Sequence, residues 1–202
     1  MTTLVELEQQ VYHITNRADL GMETKLAIRQ ATIAFHHANH FWRDSVFQLI
    51  DMSATTSYKW NINISSTFPN FRVIDSIRLW CPYSETVGHE IAYNQELGCR
   101  GKEFWRVEGN NLHLESPYTT KQFQIKYYKN PDLTNYSSWI ADMYPYMIVE
   151  FAAAKVLSMI GHSQLANELL RSVGRPQGAG MPSTGYFGTL TADNLERRVR
   201  GY

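Results

Sequence analysis

The chain has 202 residues, enough for one domain or for one domain with an insertion, and 44% of them are hydrophobic, which can supply a substantial core. Lys plus Arg and Asp plus Glu both number 19, so the formal net charge is zero, which argues against a strongly nucleic-acid-binding domain. The N-terminal segment has no basic or apolar signal region, and no stretch is long enough to span a membrane. We therefore expect a protein that is made and used in a cytoplasm without a membrane partner.

Aromatic residues make up 13% of the chain. Tyr, Trp and Phe bury large areas and are enriched at interfaces, so this content is typical of a subunit that is covered by its neighbours. It is equally typical of an aromatic-rich β core. The composition leaves both interpretations open.

Two helices are predicted at the start of the chain. Thr3 and Glu6 have the spacing of a capping box, and apolar residues follow at helical spacing as far as Ile14. A long second helix is predicted from Met22 to Ile50, because alanines and larger apolar residues form one broad face. The larger residues recur every seven positions: Ile28, Phe35, Trp42 and Leu49.

The middle of the chain alternates apolar and polar residues, which predicts β-strands. The predicted strands cover residues 58–64, 73–80, 104–107, 112–114 and 123–127. Gly109-Asn110-Asn111 predicts a turn between two of them. Residues 84–101 are ambiguous in their pattern, and a long loop is one interpretation.

Helical spacing returns after Asn135. Pro145 either begins the main helix of this region or kinks a longer one. Ser163 can cap a shorter last helix, which Gly174 ends. We therefore expect two helices between residues 132 and 173.

The segment from Gly174 to Tyr202 has a different composition. It holds 6 of the chain's 12 glycines and shows no sustained period, which predicts an extended arm that cannot fold alone. Its aromatic, apolar and Arg side chains suit folding on a partner, although a frayed C-terminus is the alternative. The candidate anchors are Arg175, Tyr186, Phe187, Leu195, Arg197, Arg198, Arg200 and Tyr202.

These patterns predict a mainly α fold with a β insertion, of the α+β class. A helical bundle of about four helices is expected from residues 1–54 and 132–173. Residues 55–131 would form a β-rich insertion module, and residues 174–202 the extended C-terminal arm.

The most suggestive titratable cluster lies in the predicted long helix. His36 and His40 are one turn apart and could hold a metal ion, but Arg29 and Arg43 lie on the same line and would oppose a cation. We therefore interpret Arg29, His36, His40 and Arg43 as a basic stripe that contacts a neighbouring subunit or lines a channel. No metal or cofactor is predicted.

Motifs of catalysis are missing from the sequence. It contains no glycine-rich phosphate loop, no GxSxG turn and no CxxC pair. Cys81 and Cys99 leave both a disulfide and two free thiols open. Glu85, Glu90 and Glu96 could supply a carboxylate pair to a small hydrolase, but solvated loop acids are the simpler interpretation. We expect no enzymatic activity.

The order of elements resembles the head-to-tail connector, or portal adaptor, proteins of tailed bacteriophages, of the podophage type. The resemblance lies in the helical segments KLAIRQATIAFHHANHFWRD and YPYMIVEFAAAKVLSMIGHSQLANELL, the β insertion between them, and the Gly/Pro-broken basic tail. It covers most of the chain as a pattern of elements.

This resemblance implies a structural virion protein at the head–tail junction. It implies a homo-oligomeric ring, a dodecamer matching the portal, with a channel through which DNA passes without sequence-specific binding. Its partners would be the portal protein, which the arm contacts, and tail or nozzle proteins on the other side. The alternative is another virion structural protein, such as a tail terminator or a fibre-attachment subunit.

Overall fold

The computed structural model describes residues 2–52, 58–81, 86–93, 103–116, 122–176 and 182–199. The chain divides into two compact units, residues 1–44 with 131–202, and residues 45–130. The first unit is helical and the second consists mainly of strands, so the predicted α+β class is confirmed. The β unit begins at Ser45, whereas the sequence predicted residue 55.

The described residues form seven α-helices and eight β-strands. In chain order these are α1 (Leu4–Thr15), α2 (Gly21–His37), β1 (Ser45–Asp51), β2 (Lys59–Asn63), α3 (Ile64–Thr67), β3 (Phe71–Cys81), β4 (Thr86–Glu90), β5 (Ala92–Tyr93), β6 (Phe104–Glu108), β7 (Asn111–Glu115), β8 (Gln122–Lys129), α4 (Trp139–Met143), α5 (Pro145–Met159), α6 (Ser163–Val173) and α7 (Gly185–Val199). A short 3₁₀ turn, Trp42–Asp44, precedes β1.

The helical unit is organised around α5. This helix begins at Pro145, which occupies its first turn where a missing N–H costs nothing, and it packs against α1, α2, α4 and α6. Its alanines, Ala152 to Ala154, are completely buried and allow the neighbouring helices to approach closely. At the N-terminus, Thr3 and Glu6 form the predicted capping box of α1.

The predicted long helix is wrong beyond His37. The chain leaves the helix at Ala38, and residues 45–51 form β1, which pairs antiparallel with β8. The seven-residue apolar series misled the prediction, because its last two members, Trp42 and Leu49, are 38% and 51% exposed. In β1 it is Ile50 that is buried, and cross-strand pairing with β8 rather than local helical spacing selects this conformation.

The β unit contains two four-stranded sheets with the orders β1-β8-β3-β4 and β2-β7-β6-β5. The sheets share one core, in which the rings of Trp60 and Phe123 meet edge to face at 5.2 Å. The predicted turn joins β6 to β7, with Gly109 at a φ of 59° that few other residues adopt at low cost. Part of the predicted loop, residues 86–90 and 92–93, forms β4 and β5.

The predicted extended arm is wrong over residues 185–199, which form the helix α7. Phe187 and Leu190 of this helix are buried in the core of the helical unit. Buried apolar contact with the other helices outweighs the poor helix propensity of Gly188 and the β-branched Thr residues. Residues 177–181 and 200–202 lie outside the described part of the chain.

Candidate functional site

A buried polar network surrounds His36 at the end of α2. Its Nδ1 lies 2.9 Å and 3.0 Å from the two carboxylate oxygens of Asp44, and its Nε2 lies 2.9 Å from the hydroxyl of Ser138. Trp139 Nε1–H donates to Asp44 at 2.8 Å. His36 and Asp44 are each 2% exposed and Ser138 is 6% exposed, so the network joins three distant segments inside the core.

The donor and acceptor roles in this network follow from the chemistry of the groups. An ionised carboxylate can only accept, so the Nδ1–H of His36 donates to Asp44. In the neutral ring, Nε2 then accepts the hydroxyl proton of Ser138. The same hydroxyl oxygen accepts the Ala141 N–H at 3.2 Å and caps the N-terminus of α4.

These contacts have the Ser–His–Asp order that nucleophilic hydrolases use. The hydroxyl of Ser138, however, caps α4, and the residue is only 6% exposed. The network therefore serves to hold the end of α2, the 3₁₀ turn and the start of α4 together. Sequence reasoning missed Asp44 and Ser138, for which the only signal was a capping serine before a short apolar helix.

The predicted basic stripe does not exist as a continuous surface. His36 is buried in the network, and α2 ends at His37, so His40 and Arg43 do not continue its face. The guanidinium of Arg43 lies over the rings of Trp42 and Trp139, at 5.2 Å and 5.3 Å from their centroids. Arg29 remains exposed on α2.

Helix α7 is held to the helical unit by apolar and polar contacts. The ring of Phe187 stacks on that of Phe35, with centroids 4.5 Å apart and an interplanar angle of 26°. Asn194, which is 2% exposed, accepts from the Trp42 N–H at 3.3 Å and donates to the His40 carbonyl at 3.2 Å. The side-chain amide thereby forms hydrogen bonds with backbone groups of the segment between α2 and β1.

A tyrosine–carboxylate contact fixes the first turn of α7. The hydroxyl of Tyr186 donates to Glu150 Oε2 at 2.8 Å, and its ring meets that of Tyr146 edge to face at 5.1 Å. Burial, together with this hydrogen bond to a carboxylate, raises the pKa of Tyr186 to about 12. Burial also raises the pKa of Tyr136, to about 12. Tyr186 thus packs against the core of the helical unit.

Two segments of the chain cross at the start of α7, with a glycine in each at the point of contact. Gly174 has φ +73° and Gly185 has φ +59°, and a Cβ on Gly174 would lie only 2.1 Å from the Thr184 carbonyl oxygen. Two hydrogen bonds join the same two segments. The Thr184 N–H donates to the Arg175 carbonyl at 3.0 Å, and the Arg175 N–H donates to Thr184 Oγ1 at 3.1 Å. The crossing fixes where α7 begins.

An open pocket of about 580 Å³ lies beside this crossing, at the end of α6. We call it the arginine pocket, because two arginines contribute to its wall and both are exposed. Its lining residues are Asn167, Leu170, Arg171, Gly174, Arg175 and Thr184.

The remaining predicted anchors and acids are dispersed. Leu195, Arg197 and Arg198 lie in α7, and the structure describes their backbone only, while Arg200 and Tyr202 lie outside the described residues. Glu90 is exposed in β4, with a carboxylate oxygen 3.5 Å from a guanidinium nitrogen of Arg78. Glu85, Glu96 and Cys99 lie outside the described residues.

No known protein family matches the sequence, and no curated protein matches it either. In the described ranges, no group of three or more His, Cys, Asp or Glu side chains could hold a metal ion. None of the helices in the part of the chain that the structure describes is long and apolar enough to cross a membrane.

Proposed function

We propose that the chain is a structural head-to-tail adaptor of a tailed bacteriophage rather than an enzyme. It would form a ring beneath the portal at the head–tail junction of the virion. The observation that carries the proposal is the division of the chain: a helical unit built from residues 1–44 and 131–202, with a β unit inserted between its halves. This is the arrangement that the resemblance to podophage-type adaptors implies.

Exposed apolar side chains in the helical unit support a role in assembly. Met22 and Leu26 are one turn apart on α2 and are 84% and 58% exposed, and Val5 on α1 is 59% exposed. Exposed apolar groups that share a helix face are typical of surfaces that contact another protein. In the proposal, the helical units form a bundle of helices repeated around a channel for DNA, in a ring of the portal's twelvefold symmetry.

The portal contact proposed for the C-terminal region involves fewer residues than the sequence predicted. Phe187 and Tyr186 contribute to the core of the folded subunit, so they are not free to anchor a partner. The basic end of the chain, Arg197, Arg198 and Arg200, is the part of the predicted arm that we assign to the portal contact. Guanidinium groups suit this role because they bind carboxylates of another subunit through paired hydrogen bonds.

The test is an affinity purification of the tagged protein from cells that assemble particles, followed by mass spectrometry of the captured proteins. The informative variant replaces Arg197, Arg198 and Arg200 by Gln, since a truncation at Gly174 would also remove Phe187 and Leu190 from the core. A matched variant replaces Lys25, Lys129 and Lys155, which are exposed elsewhere, by Gln.

We expect the unaltered protein and the lysine variant to capture the portal protein and the arginine variant to lose it. Capture of tail or fibre proteins without the portal would instead favour a tail terminator or a fibre-attachment subunit. Recovery of no virion protein would refute the adaptor assignment.

A further inference from the structure

The arginine pocket combines two positive charges with a polar and apolar lining. Asn167, Leu170, Arg171 and Gly174 follow one another at positions i, i+3, i+4 and i+7, so they share one side of the end of α6. Arg175 and Thr184 complete the wall from the crossing that precedes α7. The pocket is therefore built from two segments that are joined by the two hydrogen bonds between Arg175 and Thr184.

Among the described residues, no carboxylate lines this pocket. None of its described lining residues is acidic, and neither guanidinium forms an ion pair with a carboxylate of the described residues. The nearby acid of α6, Glu168, lines a different pocket with Gly161 and Leu165. Two exposed arginines without a carboxylate partner in the described chain are available to an external anion.

Gly174, which lines the pocket, lies in a close backbone contact with the segment that precedes α7. Gly174 and Gly185 contact the opposite backbone so closely that a Cβ at Gly185 would lie 2.5 Å from the Ser172 carbonyl oxygen. Such a close approach requires glycine at both positions, because glycine has no Cβ and adopts positive φ without strain. Helix α6 and the crossing therefore define the backbone from which Arg171 and Arg175 extend, while the two exposed side chains lose rotamer freedom when they bind.

We propose that the arginine pocket binds carboxylate side chains of an acidic segment of a partner protein. The planar guanidinium forms two parallel hydrogen bonds with a carboxylate, and Asn167 and Thr184 add neutral donors beside it. Leu170 offers an apolar contact to the methylene groups of an acidic side chain. Nucleic acid is a poorer fit, because its affinity depends on many phosphate contacts and the chain has zero net charge.

This inference deepens the proposed function and rests on it only for the identity of the partner, which would be the portal. Binding of an acidic segment can be measured without any portal protein. The probe is a blocked hexaglutamate peptide titrated into the full-length, ¹⁵N-labelled protein, with hexaglutamine and single-stranded hexathymidylate as the comparison ligands.

The expected result is a saturable change in amide shifts confined to residues around Leu170, Gly174 and Thr184. Replacing both Arg171 and Arg175 by Gln should weaken peptide binding by about tenfold to a hundredfold, as expected for losing charge-assisted hydrogen bonds. The matched double variant with Lys129 and Lys155 replaced by Gln should bind as the unaltered protein does. A dispersed spectrum of each variant verifies that it is folded.

Several outcomes would overturn the proposal. These are equal binding of hexaglutamate and hexaglutamine, shifts that persist in the arginine variant, and a response to hexathymidylate but not to hexaglutamate. Portal capture that survives while the peptide fails to bind would refute the pocket alone. Peptide binding without portal capture would leave the pocket established and refute the adaptor assignment.

Discussion

Replacing Phe187 by Ala tests whether α7 belongs to the folded core. The side chain is 2% exposed and stacks on Phe35, so the substitution removes a buried ring and leaves a cavity between α2 and α7. Large-to-small changes of this kind cost about 3–5 kcal/mol in well-packed cores. Of this, the aromatic pair itself accounts for about 0.5–1.5 kcal/mol.

The measurement is a urea titration followed by far-ultraviolet circular dichroism, a signal to which the helical unit contributes most. The control is the same chemical change at Phe47, whose ring is 62% exposed on β1. Exposed substitutions usually change the free energy of unfolding by less than about 0.5 kcal/mol. A double variant with Phe35 also replaced by Ala should cost less than the sum of the two single variants, because the pair is then lost only once.

A Phe187→Ala protein as stable as the Phe47→Ala protein would refute the packing of α7. The tail would then be the extended arm that its glycines and prolines suggest, and the Phe35 ring would have no partner in α7. A large loss at Phe187 without coupling to Phe35 would retain the burial but contradict the stacked pair.

Three further predictions concern the crossing, the buried network and Tyr186. Gly185→Ala should destabilise the helical unit by several kcal/mol, roughly the cost of a strained left-handed residue plus a steric clash. Gly161→Ala, with φ +87° and open space around it, should cost only the strain, and thermal melts compare the two variants. Ser138→Ala should cost about 2 kcal/mol through the lost cap and the lost hydrogen bond to His36, measured by urea titration, and a serine-directed fluorophosphonate should fail to label the unaltered protein. Because folding raises the pKa of Tyr186 from 10.0 to about 12, its contribution to stability is complete below pH 10 and is lost as the pH rises towards 12. Tyr186→Phe should therefore flatten that alkaline decline, and an unchanged slope would contradict the burial of Tyr186 together with its hydrogen bond to Glu150.

Local sequence patterns predicted the structure correctly where the interactions that define an element lie within that element. The capping box at Thr3 and Glu6 needs only residues of the same turn, and it is present in the structure. Apolar and polar residues alternate at residues 59–63 and 122–129. This alternation indicates which side chains face a core and does not depend on which strand pairs with them, so these strands were predicted correctly. The turn at Gly109 was predicted correctly for the same reason, because the preference of glycine for positive φ does not depend on distant contacts.

Residues 45–51 show where local information was insufficient. Their apolar residues satisfy a helical series and a strand pattern about equally, and the strand prevails because β8 offers a complete set of antiparallel partners. That partner lies more than seventy residues away in the chain, at residues 122–129. A choice between two acceptable local structures is made by the long-range contact that only one of them permits.

The sequence by itself determined the α+β class, the β-rich middle and the helical ends, because these depend on hydrophobic periodicity within single elements. Only the tertiary structure decided that His36 meets Asp44 and Ser138, and that Phe187 and Asn194 bind α7 to the end of α2. These contacts join residues separated by up to 154 positions, as for His40 and Asn194. These contacts form because the complete fold buries side chains from distant segments against one another. A local periodicity in the sequence does not indicate which distant segments will meet.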